Sequence, residues 1–456
     1  MKHLSLLLVA LLLAACAGPR PSAPPDSAFD VPAAWRAAPA SDASVDAAWW
    51  RGFGDPVLSQ IVETALRHNV DIALAAQRVE EARAQFRFAD AQLTPSVAAL
   101  AEGGRSRSLN AFGKPVQQNA WQAELAISYE IDLFGRLASA SAAARASLLA
   151  SEAARDTVRL AVAASAASGY ISLRALDARL ALLHDTLEAR AESLRVVRRR
   201  AESGYAATLD LQQAQAEYHA TEQLIPTTEL AIRRQEDALS LLLGTNPRAV
   251  ERGVALDTVT LPEVPVSLPS SLLRHRPDIA QAELQLVATD RSLDVARDAF
   301  LPTIRIGAAG GYVDSSLIGD PTRIFSIGDS ILAPIFEGGR LQAQADAAAA
   351  RRNQAAYAYR KVALTAFREV EDALATVDRT AAQEEMISAQ RDALARVLKT
   401  ATNRYRAGYS PYLEQLDAQR QLLTAELSRV QSRADRLAAI IGLYQSLGGG
   451  WQPASR

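Results

Sequence analysis

The chain has 456 residues, is 49% hydrophobic and carries a formal net charge of −2 at neutral pH. A nearly neutral chain without a basic surplus argues against nucleic acid as a partner. A single cysteine excludes a disulfide framework within the chain.

The chain begins with a segment typical of a lipoprotein signal peptide. Its apolar run over residues 4–15 follows a basic start and is too short to span a membrane. The segment Leu-Ala-Ala-Cys16 resembles a bacterial lipobox, so we expect residues 1–15 to be removed and Cys16 to be lipidated. Ala17 stands in place of the aspartate of an inner-membrane retention signal, which favours the outer membrane. An ordinary signal peptide that happens to contain cysteine is the alternative.

A proline-rich segment follows the predicted lipidation site. Residues 16–48 contain Pro, Ala and Ser in the pattern of an extended tether, which we expect to stay outside the core. A first repeat is predicted over residues 49–244. It starts with helical periodicity from Asp55, and this must end near Pro95 because the residue before proline avoids the helical region.

The next segment changes to a period of two. Apolar side chains alternate between Trp121 and Ile131 with polar ones, a pattern of a strand with one apolar and one polar face. A weaker strand is predicted over 97–102, ahead of a loop at 103–113. The whole strand pair occupies about residues 96–132. The polar positions of the stronger strand are Gln122, Glu124, Ser128 and Glu130.

A very long helix follows the strand pair. Residues 137–203 are rich in alanine and lack proline, which predicts a helix about 100 Å long at 1.5 Å per residue. Gly204 is expected to end it as a C-cap glycine. A return helix over 209–243 contains Pro226, where we expect a kink or break.

The second part of the chain repeats the first. Sliding the sequence by 204 positions places Gly204-Tyr205 on Gly408-Tyr409. A proline-containing crossover linker is predicted at 245–270, and the second repeat at 271–448. The second repeat contains a helix, a strand pair at about 303–336, a long helix at 341–407 and a return helix at 412–447, with a tail at 449–456.

Two such strand pairs give four strands with alternating polarity. In a membrane the apolar face meets lipid, and the polar residues Gln122, Glu124, Ser128 and Glu130 would face an aqueous lumen. Lipid offers no hydrogen bonds and four strands cannot enclose a pore, so several chains must share one barrel. The alanine-rich long helices favour a hollow helical wall. A solid coiled coil, which needs sustained leucine heptads, is the alternative.

The chain resembles the TolC/OprM family of outer-membrane efflux proteins, in its lipoprotein, NodT-type branch. The segments that carry this resemblance are Leu-Ala-Ala-Cys16, Phe53-Gly54-Asp55-Pro56, Asp132-Leu133-Phe134-Gly135-Arg136, Arg276-Pro277-Asp278-Ile279, Phe336-Glu337-Gly338-Gly339-Arg340 and Arg406-Ala407-Gly408. The resemblance implies a mainly α-helical homotrimer with a shared 12-stranded barrel and a long periplasmic tunnel. It also implies a periplasmic adaptor and an inner-membrane pump of the RND type as partners.

A gate is expected at the periplasmic tip, beside the two helix–helix turns. Glu414 and Asp417 lie on one helical face, and threefold symmetry would gather their charges into an anionic ring. The resemblance implies that Tyr405 and Asp210 hold the closed state. Arg420 could pair with an acid of the same or a neighbouring chain. Ser410 stands where some relatives carry a basic gate residue, and Arg420 and Arg404 are the candidate substitutes for it. Ordinary surface ion pairs are the alternative.

The turn residues Gly204, Tyr205, Gly408 and Tyr409 are predicted contacts for the adaptor, and the glycines also fit simple C-caps. We predict no cofactor, no structural metal and no enzymatic activity, because no ligand spacing or catalytic constellation occurs in the sequence. The predicted function is the exit channel of a tripartite efflux system. The alternatives are a type I protein-secretion duct, a structural or adaptor coiled-coil lipoprotein and, remotely, a hydrolase with a helical scaffold.

Overall fold

The computed structural model describes residues 20–36, 45–263 and 269–453. The predicted signal peptide at 1–15 and the predicted lipidation site Cys16 lie outside the described residues. The elements are, in chain order, α1 (Pro56–His68), α2 (Val70–Ala91), β1 (Ser96–Leu109), β2 (Pro115–Ile131), α3 (Arg136–Glu202), α4 (Thr208–Glu222), α5 (Leu224–Leu242), α6 (Pro269–His275), α7 (Pro277–Asp298), β3 (Thr303–Ser315), β4 (Thr322–Leu332), α8 (Arg340–Arg406) and α9 (Tyr412–Ser446).

The long helices α3 and α8 have 67 residues each. Neither contains proline, and a glycine in the left-handed conformation follows each one. The side chain of Asp132 accepts hydrogen bonds from the first backbone N–H groups of α3, those of Leu137 at 3.0 Å and Ala138 at 2.7 Å. This carboxylate satisfies donors that have no partner inside the helix, and it fixes where α3 begins.

The two return segments differ in continuity. Helix α9 is unbroken over 35 residues, whereas its counterpart is divided at Gln223 into α4 and α5. The break lies three residues before Pro226 rather than at the proline itself. Pro226 has no N–H to donate to the carbonyl of Glu222, and its ring would clash with that carbonyl. Helix α4 therefore ends at Glu222, and Pro226 lies in the first turn of α5.

The four strands form one antiparallel sheet in the order β1-β2-β3-β4. The strand boundaries differ from the prediction in two places. Strand β1 continues through Gly103 to Leu109, since Gly103 pairs with Trp121 and Leu109 with Pro115. Strand β4 ends at Leu332, ahead of Pro334, because proline cannot donate to a ladder. The predicted loop at 103–113 is therefore wrong at its start, and the second strand pair ends before Phe336.

The chain forms two compact units. Of the described residues, the first comprises 20–29, 78–152 and 281–361, and it contains the sheet. Part of the proline-rich segment is bound in this unit. The guanidinium of Arg20 lies 2.7 Å from the carboxylate of Asp290, and Arg352 donates to the carbonyl of Pro21 at 2.6 Å.

The second unit comprises the described residues 30–36, 45–77, 153–263, 269–280 and 362–453. Trp35 is only 5% exposed there and lies against Phe367, with ring centroids 6.3 Å apart. The expectation that residues 16–48 stay outside the core is therefore wrong at Trp35. Burial of its large apolar side chain favours this docking over a free tether.

Aromatic side chains form one part of the core of the second unit. Trp49 stacks on Tyr444 with ring centroids 5.1 Å apart, and Phe53 is fully buried beside them. Within this unit the crossover after α5 is held by buried polar groups. Tyr170 donates to Asp55 at 2.9 Å and accepts from the N–H of Gly253 at 2.8 Å. Burial raises the pKa of Tyr170, so its hydroxyl remains a donor. Among the described helices, none has an apolar stretch long enough to cross a membrane.

Candidate functional site

The two helix–helix turns of the second unit have the same backbone geometry. Gly204 and Gly408 have φ of 76° and 79°, in the left-handed region that favours glycine. In each turn the N–H of the next residue donates to a carbonyl five residues earlier, at 2.7 Å for Tyr205 and 2.9 Å for Tyr409. This closure is a Schellman C-cap. The tyrosine rings are 85% and 81% exposed, so both turns present an aromatic side chain to solvent.

Behind the turns lies a small apolar cluster, which we call the tip cluster. Its buried members are Val197, Ala214, Tyr405, Tyr412 and Leu416. Tyr405 is 7% exposed, and its ring centroid lies 5.5 Å from that of Tyr412. The hydroxyl of Tyr405 has no hydrogen-bond partner among the described residues. The predicted gate residue Tyr405 therefore stabilises the tip through its ring.

Arg200 connects the ends of the two long helices. Its guanidinium lies over the ring of Tyr405, 4.7 Å from the centroid. It also donates to two carbonyls at the end of α8, that of Tyr405 at 3.2 Å and that of Arg406 at 3.1 Å. Cationic groups at a helix C-terminus bind the carbonyls that lack partners there. The guanidinium of Arg200 in α3 thus caps the C-terminus of α8.

A buried carboxylate joins three helices next to the tip cluster. Glu217 of α4 lies 2.9 Å from Arg190 of α3 and accepts a hydrogen bond from Arg420 of α9 at 2.6 Å. We call these three residues the Glu217 clasp. The side chains of Arg190 and Glu217 are 6% and 11% exposed, whereas that of Arg420 is 52% exposed. The Arg190–Glu217 pair is therefore buried, whereas the charge of Arg420 is screened by water.

The two arginines of the Glu217 clasp have different electrostatic environments. Burial lowers the pKa of Arg190, and the charge of Glu217 opposes that effect. Arg190 also donates to the carbonyl of Glu217 at 2.7 Å and to the hydroxyl of Thr221 at 2.5 Å. The hydrogen bond to Glu217 raises the pKa of Arg420. The predicted basic residue Arg420 therefore pairs with an acid of its own chain.

The other predicted gate acids lie on the surface. Glu414 is exposed and its carboxylate is 3.5 Å from Arg404, while Asp417 is exposed and accepts from Gln421 at 2.5 Å. Asp210 is half-buried in the first turn of α4 and joins no ion pair within the described residues. Glu414 and Asp417 are one helical turn apart on α9, so their charges stand on one side of that helix.

The polar positions predicted for β2 share one face of the sheet. Gln122 donates to Glu124 at 2.9 Å, and Ser128 pairs with Ser96 across the ladder. Glu130 lies 2.5 Å from Arg136 and 3.3 Å from Arg305. The opposite face carries exposed apolar side chains, including Trp121, Leu125 and Ile127.

Sequence reasoning missed Glu217, Arg190 and Arg200. One signal existed for the first two, because the internal repeat fails at both positions. With the offset of 204, Glu217 corresponds to Gln421 and Arg190 to Leu394. The ion pair between Arg190 and Glu217 therefore has no counterpart between Leu394 and Gln421 in the second copy. The described residues contain no cluster of three or more side chains that could hold a metal ion.

Comparison with known proteins gives a consistent result. Residues 61–245 and 268–449 match the family model described as "Outer membrane efflux protein". A pyoverdine export outer membrane protein of Pseudomonas aeruginosa is 34% identical over 466 residues, covering 99% of this chain and 98% of the relative. A probable efflux pump outer membrane protein of Pseudomonas putida is 34% identical, covering 98% and 95%.

A solved structure has the same fold. The open-state crystal structure of the MtrE outer membrane channel of Neisseria gonorrhoeae is 28% identical, with a TM-score of 0.82. The alignment covers 96% of this chain and 99% of that one. The similarity therefore extends over both the sheet and the long helices.

Proposed function

Because this chain belongs to the outer membrane efflux protein family, we propose that three copies of it form a passive exit channel that is shut at its periplasmic tip. Each copy contributes four strands to a shared 12-stranded barrel and a pair of long helices to a periplasmic tunnel. The channel performs no covalent chemistry. It conducts cargo that a pump and an adaptor deliver.

The faces of the sheet support the barrel. Strands β1 and β4 are both edges, and each has one side without a partner strand in a single chain. Lipid cannot satisfy such edges, so neighbouring copies must pair with them. The apolar face meets lipid, and Gln122, Glu124, Ser128 and Glu130 line the lumen. This assignment gives every polar side chain of that set access to water.

The Glu217 clasp is the observation that best supports a gate at the periplasmic tip. It links α3, α4 and α9 directly behind the two turns, where Arg200 and Tyr405 link α3 to α8. Opening the tip requires these helices to separate, which exposes the tip cluster and breaks the clasp. Glu414 and Asp417, with their copies in the other protomers, form an anionic ring that selects cations. Asp210, which corresponds to Glu414 in the internal repeat, lies in the first turn of α4.

The two exposed turns offer a contact surface for a partner protein. Tyr205 and Tyr409, with the glycines at 204 and 408, offer two similar aromatic contacts for a periplasmic adaptor that serves an RND-type pump. The chain is anchored through lipid on Cys16. Mass spectrometry of the purified protein tests this anchor. The expected result is an N-terminal diacylglyceryl-cysteine with an added acyl chain, and an unmodified Cys16 would contradict it.

Single-channel recording in planar bilayers tests the channel and its ring together. We expect a small, cation-selective conductance for the wild type, and a larger, less selective one for Glu414→Ala/Asp417→Ala. The matched control is Asp378→Ala/Glu385→Ala, which removes two exposed acids of α8 away from the turns. Equal conductance in all three proteins would refute the anionic ring. Absence of any conductance from folded, inserted protein would refute the channel.

A further inference from the structure

We propose that the outer end of the apolar sheet face binds the phosphate groups of the outer-leaflet glycolipid through Arg105, Arg107 and Arg323. This inference rests on the proposed function, in which the apolar face meets lipid. The outer end is the end with the hairpin at 110–114 and the loop at 316–321, opposite the end where the chain enters from α2 and leaves into α3. All these residues lie in the first unit.

The apolar face forms a band of defined height. On β2 it extends from Ile131 to Trp121, through Tyr129, Ile127, Leu125 and Ala123. These ten steps measure about 33 Å along a strand at about 3.3 Å per residue, or about 25 Å after a tilt of about 40°. A band of about 25 Å matches the apolar height of outer-membrane barrels. Trp121 therefore lies at the outer border between hydrocarbon and headgroups.

Two arginines stand just beyond that border on the same face. In the register, Gly103 pairs with Trp121, Arg105 with Asn119 and Arg107 with Gln117. Side chains two residues apart on a strand share a face, so Arg105 and Arg107 lie one and two rungs outside the band. Both are exposed. Their depth corresponds to the phosphates of a lipid whose chains cover the band.

A third arginine lies on the other edge strand. Arg323 of β4 pairs with Tyr312 of β3, which pairs with Ala123 of β2, so Arg323 starts one rung inside the Trp121 border. Its guanidinium is 5.8 Å from the centroid of the Tyr312 ring, and its long side chain can extend to the headgroups. In a barrel of three copies, β4 of one protomer lies next to β1 of another. Arg323 would then share a seam with Arg105 and Arg107 of its neighbour. A barrel would carry three such seams.

The arginines keep donors for a ligand. With its side-chain amide oriented so that the oxygen faces Arg105, Gln117 accepts from both Nε, at 2.7 Å, and Nη2 of Arg105, which leaves Nη1 of Arg105 for a ligand. Neither Arg105, Arg107 nor Arg323 forms a salt bridge within the part of the chain that is described. Asp314 is the acid near this end of the face, and it accepts from the indole N–H of Trp121 at 2.8 Å. Guanidinium groups with unused donors bind phosphate oxygens in pairs.

The position favours a lipid over other anions. A free phosphate would gain no binding energy from the apolar side chains of Trp121, Tyr312 and Leu125 beside the arginines. The cargo of a channel passes on the lumen face, which is the opposite side of the sheet. An amphipathic molecule with a phosphorylated head and acyl chains satisfies both the basic residues and the apolar band. The glycolipid of the outer leaflet, with lipid A at its base, has this chemistry.

Binding of the purified trimer to nanodiscs tests the proposal, with bisphosphorylated lipid A compared against the same lipid A without its phosphates. We expect the wild type to prefer the phosphorylated form by roughly tenfold or more, since several basic residues close to a charged headgroup attract it together. The variant Arg105→Gln/Arg107→Gln/Arg323→Gln should lose this preference. The control Arg351→Gln/Arg368→Gln/Arg379→Gln removes three exposed arginines of α8 and should retain it.

Two further readouts make the result decisive. Both triple variants are recorded in planar bilayers of neutral lipid, where each should conduct as the wild type does. If they conduct and the lipid A preference is unchanged by the sheet substitutions, the phosphate site is refuted while the channel stands. If inorganic phosphate at millimolar concentration abolishes the preference, the site is a general anion site and the proposal is also refuted. If the folded wild type does not insert and conduct, the proposed function itself fails.

Discussion

The two halves of the tip have the same turns but different side-chain contacts. Gly204 and Gly408 have nearly equal φ, and each turn closes through the same pair of backbone hydrogen bonds. Arg200 and Arg404 occupy equivalent positions, yet Arg200 binds carbonyls of the other long helix and Arg404 lies beside Glu414. The backbone is therefore repeated while the contacts are not.

This asymmetry lies in the side chains that join the two copies of the repeat. Glu217 corresponds to Gln421 in the second copy, and Arg420 corresponds to Ala216 in the first. A Glu217 clasp can form once in each chain, and it joins the two copies to each other. Residues that preserve the repeat, such as the turn glycines, maintain the helical hairpins. Glu217 and Arg420, which break the repeat, connect the hairpins, and so does Arg200, although its counterpart Arg404 makes no such contact among the described residues.

The largest effect is expected when the tip cluster loses its central ring. Tyr405→Ala removes a side chain that is 7% exposed, and the cavity should cost about 3–5 kcal/mol. Hydrogen exchange at the ends of α3 and α8 should accelerate, and cells should admit a large hydrophilic antibiotic. Tyr405→Phe is the control, because the hydroxyl lacks a partner among the described residues. Equal leakiness of both variants would show that the hydroxyl, and not the ring, holds the tip.

A smaller loss is expected at the Glu217 clasp. Glu217→Ala leaves the buried Arg190 without its carboxylate partner, which should cost about 2–3 kcal/mol locally. Amide protection in α4 should fall by one to two decades at about 1.4 kcal/mol per decade. The matched variant Glu222→Ala removes an exposed acid of the same helix and should change protection little. Similar losses in both variants would reduce the clasp to ordinary surface charge.

The equivalent arginines offer a direct comparison of the two copies. Arg200→Lys loses the fork that reaches two carbonyls and the stack on Tyr405, at a cost of about 1–2 kcal/mol. Arg404→Lys keeps a cation near the exposed Glu414 and should cost less than about 0.5 kcal/mol. Thermal midpoints of the two variants measure the difference. Equal shifts would mean that the asymmetry has no energetic weight.

Substitution of the two turn glycines should have equal effects in the two copies. Gly204→Ala and Gly408→Ala each place a side chain at positive φ, which costs about 1 kcal/mol although a Cβ meets nothing within 4 Å. Both variants should lower the thermal midpoint by the same amount. Gly442→Ala lies inside α9, also with open space, and should raise the midpoint instead. A clear difference between the two turn variants would show that the turns themselves are not equivalent.

Much of the fold follows from local signals. Long proline-free stretches ending at glycine locate α3 and α8, and alternating polarity locates β2. The predicted class, a mainly helical chain with four antiparallel strands, is confirmed by the structure and by the solved relative. The resemblance to outer-membrane efflux proteins is confirmed by the family match. These features depend on residues close together in sequence or on motifs spread along the whole chain.

The features that were missed depend on distant residues. Strand β1 passes through Gly103 and Gly104 because β2 provides a complete ladder for it, which its own composition does not indicate. Trp35 docks because Phe367 lies opposite. The contacts of Glu217 form only because the fold places α3 and α9 beside α4. Single-sequence periodicity contains no information about such pairs, except where the internal repeat fails.

A double-mutant cycle on single-channel conductance tests the central claim most directly. The four proteins are the wild type, Glu217→Gln, Arg420→Gln and the double variant, each recorded as a trimer in a planar bilayer. If the Glu217 clasp holds the tip shut, each single variant should raise the open probability, and the double variant should add little to either. Unchanged conductance in the single variants, or effects that simply add, would contradict a clasp that closes the channel.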